Sequence, residues 1–91
     1  MSPKRVDANQ SSIVAGLREF GASVKDVHTI GGFFDILAGY HGRDYKFEIK
    51  EESGRLTPAE IEFHKSWCGS PVYVIHSIEE AIQILCDGSE D

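Results

Sequence analysis

The sequence predicts an α/β fold in which helices flank a mixed four-stranded sheet, with the element order αβββαβα. Three observations support this prediction. Apolar residues recur at helical spacing in three segments, and each segment follows a residue type that commonly caps helices. Two apolar-rich runs flank a short loop with glycines, which is the pattern of a β-hairpin. A nearly continuous apolar run over 71–76 is typical of a strand that is buried on both faces.

The chain has 91 residues, which is enough for one small domain with a modest core. We divide it into a flexible arm over 1–6, a single domain over 7–87 and a disordered acidic tail over 88–91. No apolar run approaches the roughly 20 residues of a membrane span, and the N-terminus lacks the apolar core of a signal peptide. We therefore expect a cytoplasmic protein whose two cysteines, Cys68 and Cys86, are free thiols.

The first helix is predicted to begin at Asp7, which acts as N-cap, and to end at Gly21. Gln10 occupies the third helical position and would complete a capping box with Asp7. It also lies on the side of Ile13 and Leu17, so it can face inward. Two interpretations of Gln10 stay open here: a helix cap, or an oxygen donor in a metal site.

Three strands follow, over 22–28, 33–38 and 44–50. The last two form a hairpin that closes at His41 and Gly42. In that register one face of the hairpin is wholly apolar and can be buried, whereas the other carries two acids and a lysine. A slip of one residue would mix the two faces, so the pattern itself predicts the register.

The two acids, Asp35 and Glu48, lie opposite each other in this register, with β-carbons roughly 5 Å apart. Like charges so arranged destabilise a sheet, and either a raised pKa or a bound cation would offset the repulsion. Mg²⁺ takes oxygen ligands from one or two carboxylates. Lys50 projects from the same face, where it can orient or deprotonate water or neutralise an oxyanion. The predicted catalytic residues are therefore Asp35, Glu48 and Lys50.

The second half of the chain adds a helix, a strand and a helix. Thr57, Pro58 and Glu60 combine an N-cap, a first-turn proline and a capping-box glutamate, which predicts a helix to about Cys68. We interpret Glu60 as a cap, with a role in the site as the alternative. The apolar stripe that faces inward is predicted to comprise Ile61, His64, Trp67 and Cys68. The strand that follows should be parallel to a neighbour, and a capping box at 77–80 opens the last helix.

Asp35 and the stretch Glu48-Ile49-Lys50 resemble the Asp…Glu-x-Lys signature of the PD-(D/E)XK nuclease superfamily. The superfamily's proline is absent, since Phe34 precedes Asp35. Together with glycines at 31–32 and the segment 54–58, the chain is similar to the small virus-type replication-repair nuclease (VRR-NUC) domains, including stand-alone phage forms. The similarity extends from about residue 7 to residue 85.

The resemblance implies a restriction-endonuclease-like core and Mg²⁺- or Mn²⁺-dependent hydrolysis of DNA. It assigns metal binding to Asp35, Glu48 and the backbone carbonyl of Ile49, and water activation to Lys50. Gln10 stands where many members carry a glutamate, so it is a supporting ligand without charge. The resemblance also implies a homodimer, a preference for flaps or four-way (Holliday) junctions, and location in a bacterial or phage-infected cell.

Charge argues against nucleic acid at first sight, because nine basic residues face fifteen acidic ones and the net charge is −6. All nine basic residues, however, lie at or before Lys65. The candidate DNA contacts are Arg55, Lys46, Arg43, Lys4 and Arg5, with Gly32 as a point of close backbone approach. The alternative function is a weak or inactive nuclease-fold module that binds nucleic acid or a protein partner; a ribonuclease with the same site is a third hypothesis.

Overall fold

The computed structural model describes residues 2–89, with side chains from 9 to 88. The elements are, in order, α1 (Ser2–Phe20), β1 (Ser23–Asp26), β2 (Ile36–Tyr40), β3 (Arg43–Ile49), α2 (Pro58–Ser66), β4 (Val72–Ile75) and α3 (Ile78–Ser89). This order confirms the predicted α/β class and the arrangement αβββαβα. Within the described residues, none of the helices combines the length and the apolar character that a membrane span requires.

The four strands form one mixed sheet in the order β1-β2-β3-β4. β1, β2 and β3 are antiparallel, and β4 is parallel to β3, as predicted for the strand after α2. Ile36 faces Phe47 and Ala38 faces Tyr45, which confirms the register predicted from the apolar alternation. The two-residue turn at 41–42 has positive φ at both positions, as in type I′ hairpin turns.

The core lies between α1, α3 and the apolar face of the sheet. Its largest buried side chains are Ile13, Leu17, Ile36, Phe47, Ile75 and Leu85. Fully burying a side chain of this size contributes about 1.5–3 kcal/mol, so the two hairpin strands are firmly anchored. The opposite face of the sheet lies outside this core, and it is the face that carries Glu48.

Helix and strand ends depart from the predictions in several places. α1 begins at Ser2, so Asp7 lies inside the helix and is not its N-cap. A proline at position 3 is tolerated because a first-turn residue has no helical partner for its N–H. β2 begins at Ile36 rather than at 33, and α3 continues to Ser89. The last two residues of the predicted tail lie outside the described part of the chain.

The inward face of α2 agrees with the predicted stripe only at His64, which is half-buried, whereas Cys68 is exposed. Ile61 and Trp67 are about half exposed, at 49% and 47%. Phe63 instead packs against Phe33 and Phe34, with ring centroids 5.0 and 6.2 Å apart. Aromatic rings in such contact contribute beyond the area they bury, so this cluster sets the rotation of the helix. α2 contributes no side chain to the main core.

Candidate functional site

The three predicted catalytic residues converge at the end of β3. The Glu48 side chain is buried, at 2% exposure of the residue. Lys50 Nζ lies 3.7 Å from Glu48 Oε2. Asp35 reaches the same strand from the other hairpin arm, where its Oδ2 accepts a hydrogen bond of 2.7 Å from the Ile49 N–H. The three side chains therefore surround the backbone of Ile49.

Asp35 is held by an irregular end of the hairpin. Its N–H donates to the Phe47 carbonyl at 3.0 Å, although the ladder pairs Phe47 with Ile36, the next residue along the chain. Regular pairing thus ends at Ile36, and the expectation that Asp35 continues the ladder opposite Glu48 is wrong. If the ladder continued, a main-chain carbonyl would accept the hydrogen bond from the Ile49 N–H. In the structure the Asp35 carboxylate accepts it instead. The departure from the register is what turns the Asp35 side chain toward β3.

Glu48 has the most perturbed acid–base behaviour at the site. Burial, together with the neighbouring carboxylates of Asp35 and Glu60, raises the pKa of Glu48 from 4.5 to about 9. The carboxyl is therefore protonated near neutral pH, and its O–H can donate to a neighbouring carboxylate. A raised pKa is one of the two ways in which the sequence predicted the repulsion to be relieved.

Glu60 is a further charged group of the site that the sequence interpreted as a cap. Its Oε1 accepts from the Thr57 N–H at 2.8 Å and lies 3.0 Å from Lys50 Nζ. The Glu60 N–H in turn donates to Thr57 Oγ1 at 3.2 Å, which confirms the predicted capping box. The sequence signal for the contact between Glu60 and Lys50 is the short loop between Lys50 and the start of α2.

The charges of Lys50 and Glu60 support each other. Burial lowers the pKa of Lys50, but the hydrogen bond and charge of Glu60 outweigh it, so the pKa stays above 10.5. Burial likewise raises the pKa of Glu60, and the hydrogen bond from Thr57 and the contact with Lys50 bring it below 4.5. Lys50 is therefore a cation and Glu60 an anion over the physiological range.

The oxygen donors present fit a hard divalent cation. Asp35 and Glu48 supply two carboxyl groups. The N–H and C=O of one strand residue point to the same side, so the Ile49 carbonyl faces the side of Asp35. In the part of the chain that is described, no group of three or more His, Cys, Asp or Glu side chains is arranged to hold a metal ion. The predicted set consists of two carboxylates and one carbonyl, and waters would complete it.

Comparison with known proteins does not assign the chain to a family. No family model matches it, and neither a curated protein nor a solved structure matches it significantly. The resemblance to VRR-NUC domains rests on the signature residues alone and stays a prediction. The convergence of Asp35, Glu48 and Lys50 is a geometric observation that does not depend on that resemblance.

Gln10 is buried, and its side chain contacts residues on β1 and in the turn after it. Its Nε2 donates to Asp26 Oδ2 at 2.9 Å and lies 3.3 Å from His28 Nδ1. Asp26 Oδ1 and His28 Nδ1 are themselves in close contact. The interpretation as a helix cap is wrong, because α1 begins at Ser2. A ligand role for the amide oxygen stays a prediction.

The basic residues proposed for DNA contact are not gathered in one place. Lys46 is nearly buried; its Nζ bonds Ser70 Oγ and lies 5.8 Å from the centroid of the Trp67 ring. These internal contacts leave little of the Lys46 charge exposed to solvent, and a DNA contact by Lys46 stays a prediction. Arg43 begins β3, about 20 Å from the site at 3.3 Å per strand residue. It is exposed but remote from Lys50.

The remaining candidates differ in their relation to the site. Arg55 is exposed on the loop that follows Lys50, so it lies at the same end of the sheet. Gly32 has a φ of +68°, and a β-carbon added there would lie 3.2 Å from that of Ala59, beside the start of α2. Lys4 and Arg5 fall outside the residues whose side chains the structure describes.

The raised pKa of Glu48 predicts a pH-dependent stability. The folded protein keeps this proton up to about pH 9, whereas the unfolded chain loses it near 4.5. The folded state thus binds more protons in between, and the free energy of unfolding falls as pH rises through this window. Glu48→Gln removes the titration. In metal-free buffer we expect its melting temperature, relative to wild type, to rise by several degrees from pH 5 to pH 8.

Glu80→Gln is the matched control, because it makes the same substitution at an exposed glutamate whose pKa is shifted in the opposite direction. The hydrogen bond from the His76 N–H lowers the pKa of Glu80, so its stabilisation is present above the unfolded pKa and lost as pH falls. The control should therefore be less stable than wild type at pH 8, and the difference should shrink in acid. A Glu48→Gln effect that does not change with pH would contradict the assignment.

Proposed function

We propose that this protein is a Mg²⁺- or Mn²⁺-dependent DNA endonuclease of the VRR-NUC type. The observation that carries the proposal is the convergence of Asp35, Glu48 and Lys50 around Ile49. Burial and the neighbouring acids raise the pKa of Glu48 far above its ordinary value, a cost in stability that a purely structural domain would have no reason to retain. A phosphodiester is negatively charged and repels hydroxide, so its hydrolysis needs a site that supplies positive charge.

In this proposal Asp35, Glu48 and the Ile49 carbonyl hold the cation. When bound, Mg²⁺ or Mn²⁺ supplies positive charge to the phosphate and lowers the pKa of water. Glu48 gives up its proton on binding, because a nearby positive charge favours the ionised carboxylate. Lys50 orients the attacking water and neutralises charge that develops on the phosphate oxygens. Arg55, exposed beside the site, contacts the DNA backbone and fixes its register.

We further propose that the substrate is branched DNA, such as flaps or four-way junctions, and that the active form is a homodimer. Support for branched DNA comes from the family resemblance. The net charge of −6 fits selection by shape, since it weakens attraction to arbitrary duplex. Support for the dimer comes from an exposed apolar face on the sheet side opposite the core, formed by Leu37, Trp67 and Val74 around Lys46.

The second candidate function is a non-catalytic module that binds nucleic acid or a protein partner. Gln10 favours it, because the first helix offers an amide where many related nucleases carry an acid. The side-chain N–H of that amide is committed to Asp26. The net acidity of the chain also favours it. The retained contacts among Asp35, Glu48 and Lys50 favour the enzyme.

Mg²⁺ binding should raise the melting temperature of the wild-type protein and leave that of Asp35→Asn unchanged. A ligand that binds only the folded state stabilises it by about 2.7 kcal/mol at one hundred times its Kd. For a domain of this size that corresponds to a shift of roughly 10 °C or more. The measurement is a melting curve at increasing Mg²⁺ after treatment with EDTA. Glu80→Gln should retain the full shift, and a shift that persists in Asp35→Asn would exclude the proposed ligand.

Cleavage should require Lys50. We expect the wild type to cut one or more labelled substrates in Mg²⁺ or Mn²⁺, among single strands, duplexes, flaps and four-way junctions. Lys50→Ala should lose about 100-fold or more in kcat, as when one stabilising donor is removed from an active site. Lys25→Ala, an exposed lysine on β1, is the control and should cut normally. No cutting by the wild type, at low salt and high protein concentration, would favour the binding module.

The dimer is tested by light scattering after gel filtration. The chain mass of 10.1 kDa predicts a particle of twice that mass. Leu37→Glu places a charge on the apolar face and should yield a folded monomer. Ile30→Glu alters a loop residue that is also exposed, at 53%, and should remain dimeric. A monomeric wild type would refute this part of the proposal.

A further inference from the structure

We infer that Glu60 is a positioning residue for Lys50: its carboxylate, fixed by the capping box of α2, holds the lysine ammonium beside Glu48. This inference rests on the proposed function, because the role of Lys50 belongs to that proposal. Glu60 then has two roles: it caps the start of α2, and it holds the side chain of Lys50 in position.

The contact distances identify Glu60 as the group that holds Lys50. A single oxygen, Oε1, lies 2.8 Å from the Thr57 nitrogen and 3.0 Å from Lys50 Nζ. Glu48 Oε2 is more distant, at 3.7 Å from the same Nζ. The side chains of Lys50 and Glu60 are only 18% and 16% exposed, so water screens this ion pair less than a surface pair. Glu60 is therefore the nearer of the two acids that contact Lys50.

The capping box makes the Glu60 side chain a fixed point. Its carboxylate accepts from the Thr57 N–H, and its own N–H donates to Thr57 Oγ1. This reciprocal pair leaves the side chain little rotamer freedom. A lysine side chain has four carbons before its ammonium and many rotamers, so an immobile acceptor selects one of them.

α2 is in turn fixed relative to Asp35. Phe63, one turn after Glu60, packs against Phe33 and Phe34, which directly precede Asp35. α2 has no fully buried residue of its own, so these contacts, rather than the main core, locate it. These contacts therefore fix the position of Glu60 relative to Asp35. Because Glu60 holds Lys50, they also fix the position of the Lys50 ammonium group.

The expected consequence is a loss of turnover rather than of substrate binding when Glu60 is truncated. Glu60→Ala leaves Lys50 without its nearest acceptor, so kcat should fall by roughly 10- to 100-fold while KM changes little. Glu60→Gln keeps an acceptor oxygen and is accepted in capping boxes, so it should restore kcat to within about 3-fold of wild type. Thr57→Ala removes the hydroxyl that accepts from the Glu60 N–H but keeps the backbone N–H that holds the Glu60 carboxylate, so it should lower the melting temperature and keep kcat.

A second readout needs neither metal nor substrate. The ammonium protons of a lysine held in an ion pair exchange slowly enough to be seen by ¹H–¹⁵N NMR of side-chain NH₃⁺ groups. Lys50→Ala assigns the Lys50 signal. We expect this signal in the wild type and in Thr57→Ala, and its loss in Glu60→Ala.

The outcomes separate this inference from the proposed function. A wild type that cuts no substrate refutes the nuclease, and the NMR signal still decides whether Glu60 holds Lys50. Equal loss of kcat in Glu60→Ala and Thr57→Ala would show a merely structural role and overturn the inference. So would an unchanged Lys50 signal in Glu60→Ala. A Glu60→Gln variant as inactive as Glu60→Ala would also overturn it, because Glu60 would then act by its charge and not as an acceptor.

Discussion

A carboxyl group that is 2% exposed cannot carry its charge without a compensating group, and this constraint at Glu48 governs the rest of the structure. The hairpin that buries it is anchored by the apolar face of the sheet. The neighbouring acids, Asp35 and Glu60, raise its pKa, and the positive charge of Lys50 lies beside it and offsets their negative charge. Glu60 of α2 and Asp35 at the irregular strand end both lie beside this buried carboxyl.

The fold could be predicted from the sequence wherever local patterns were sufficient. Strict alternation set the pairing of Ile36 with Phe47, because a slipped register would expose the apolar face. The capping box at Thr57 could also be predicted, because it depends on two residues that are only three positions apart. These two signals account for the register of the hairpin and for the start of α2, whereas the approach of Asp35 to β3 depends on an irregular strand end that alternation does not predict.

The remaining features depend on contacts between segments, which periodicity does not encode. Periodicity predicts Ile61 and not Phe63 on the inner face of α2, because the rings that Phe63 contacts lie in a loop far away in sequence. The sequence predicts a DNA contact at Lys46, whose partners in the structure come from the segment beyond α2. The family resemblance predicts a ligand role for Gln10, whose partner Asp26 lies on a different element. In each case the deciding interaction joins residues that no local motif links.

Because α2 lies outside the main core, its attachment is weaker than that of the strands beside it. It is retained by one aromatic cluster, its N-terminal cap and an ion pair. Segments of this kind open and close as separate cooperative units, at a lower free energy than global unfolding. The sheet can then persist while the site disassembles, since Lys50 loses its acceptor when α2 departs. We therefore expect the contact between Lys50 and Glu60 to be lost at a lower free energy than the fold of the sheet.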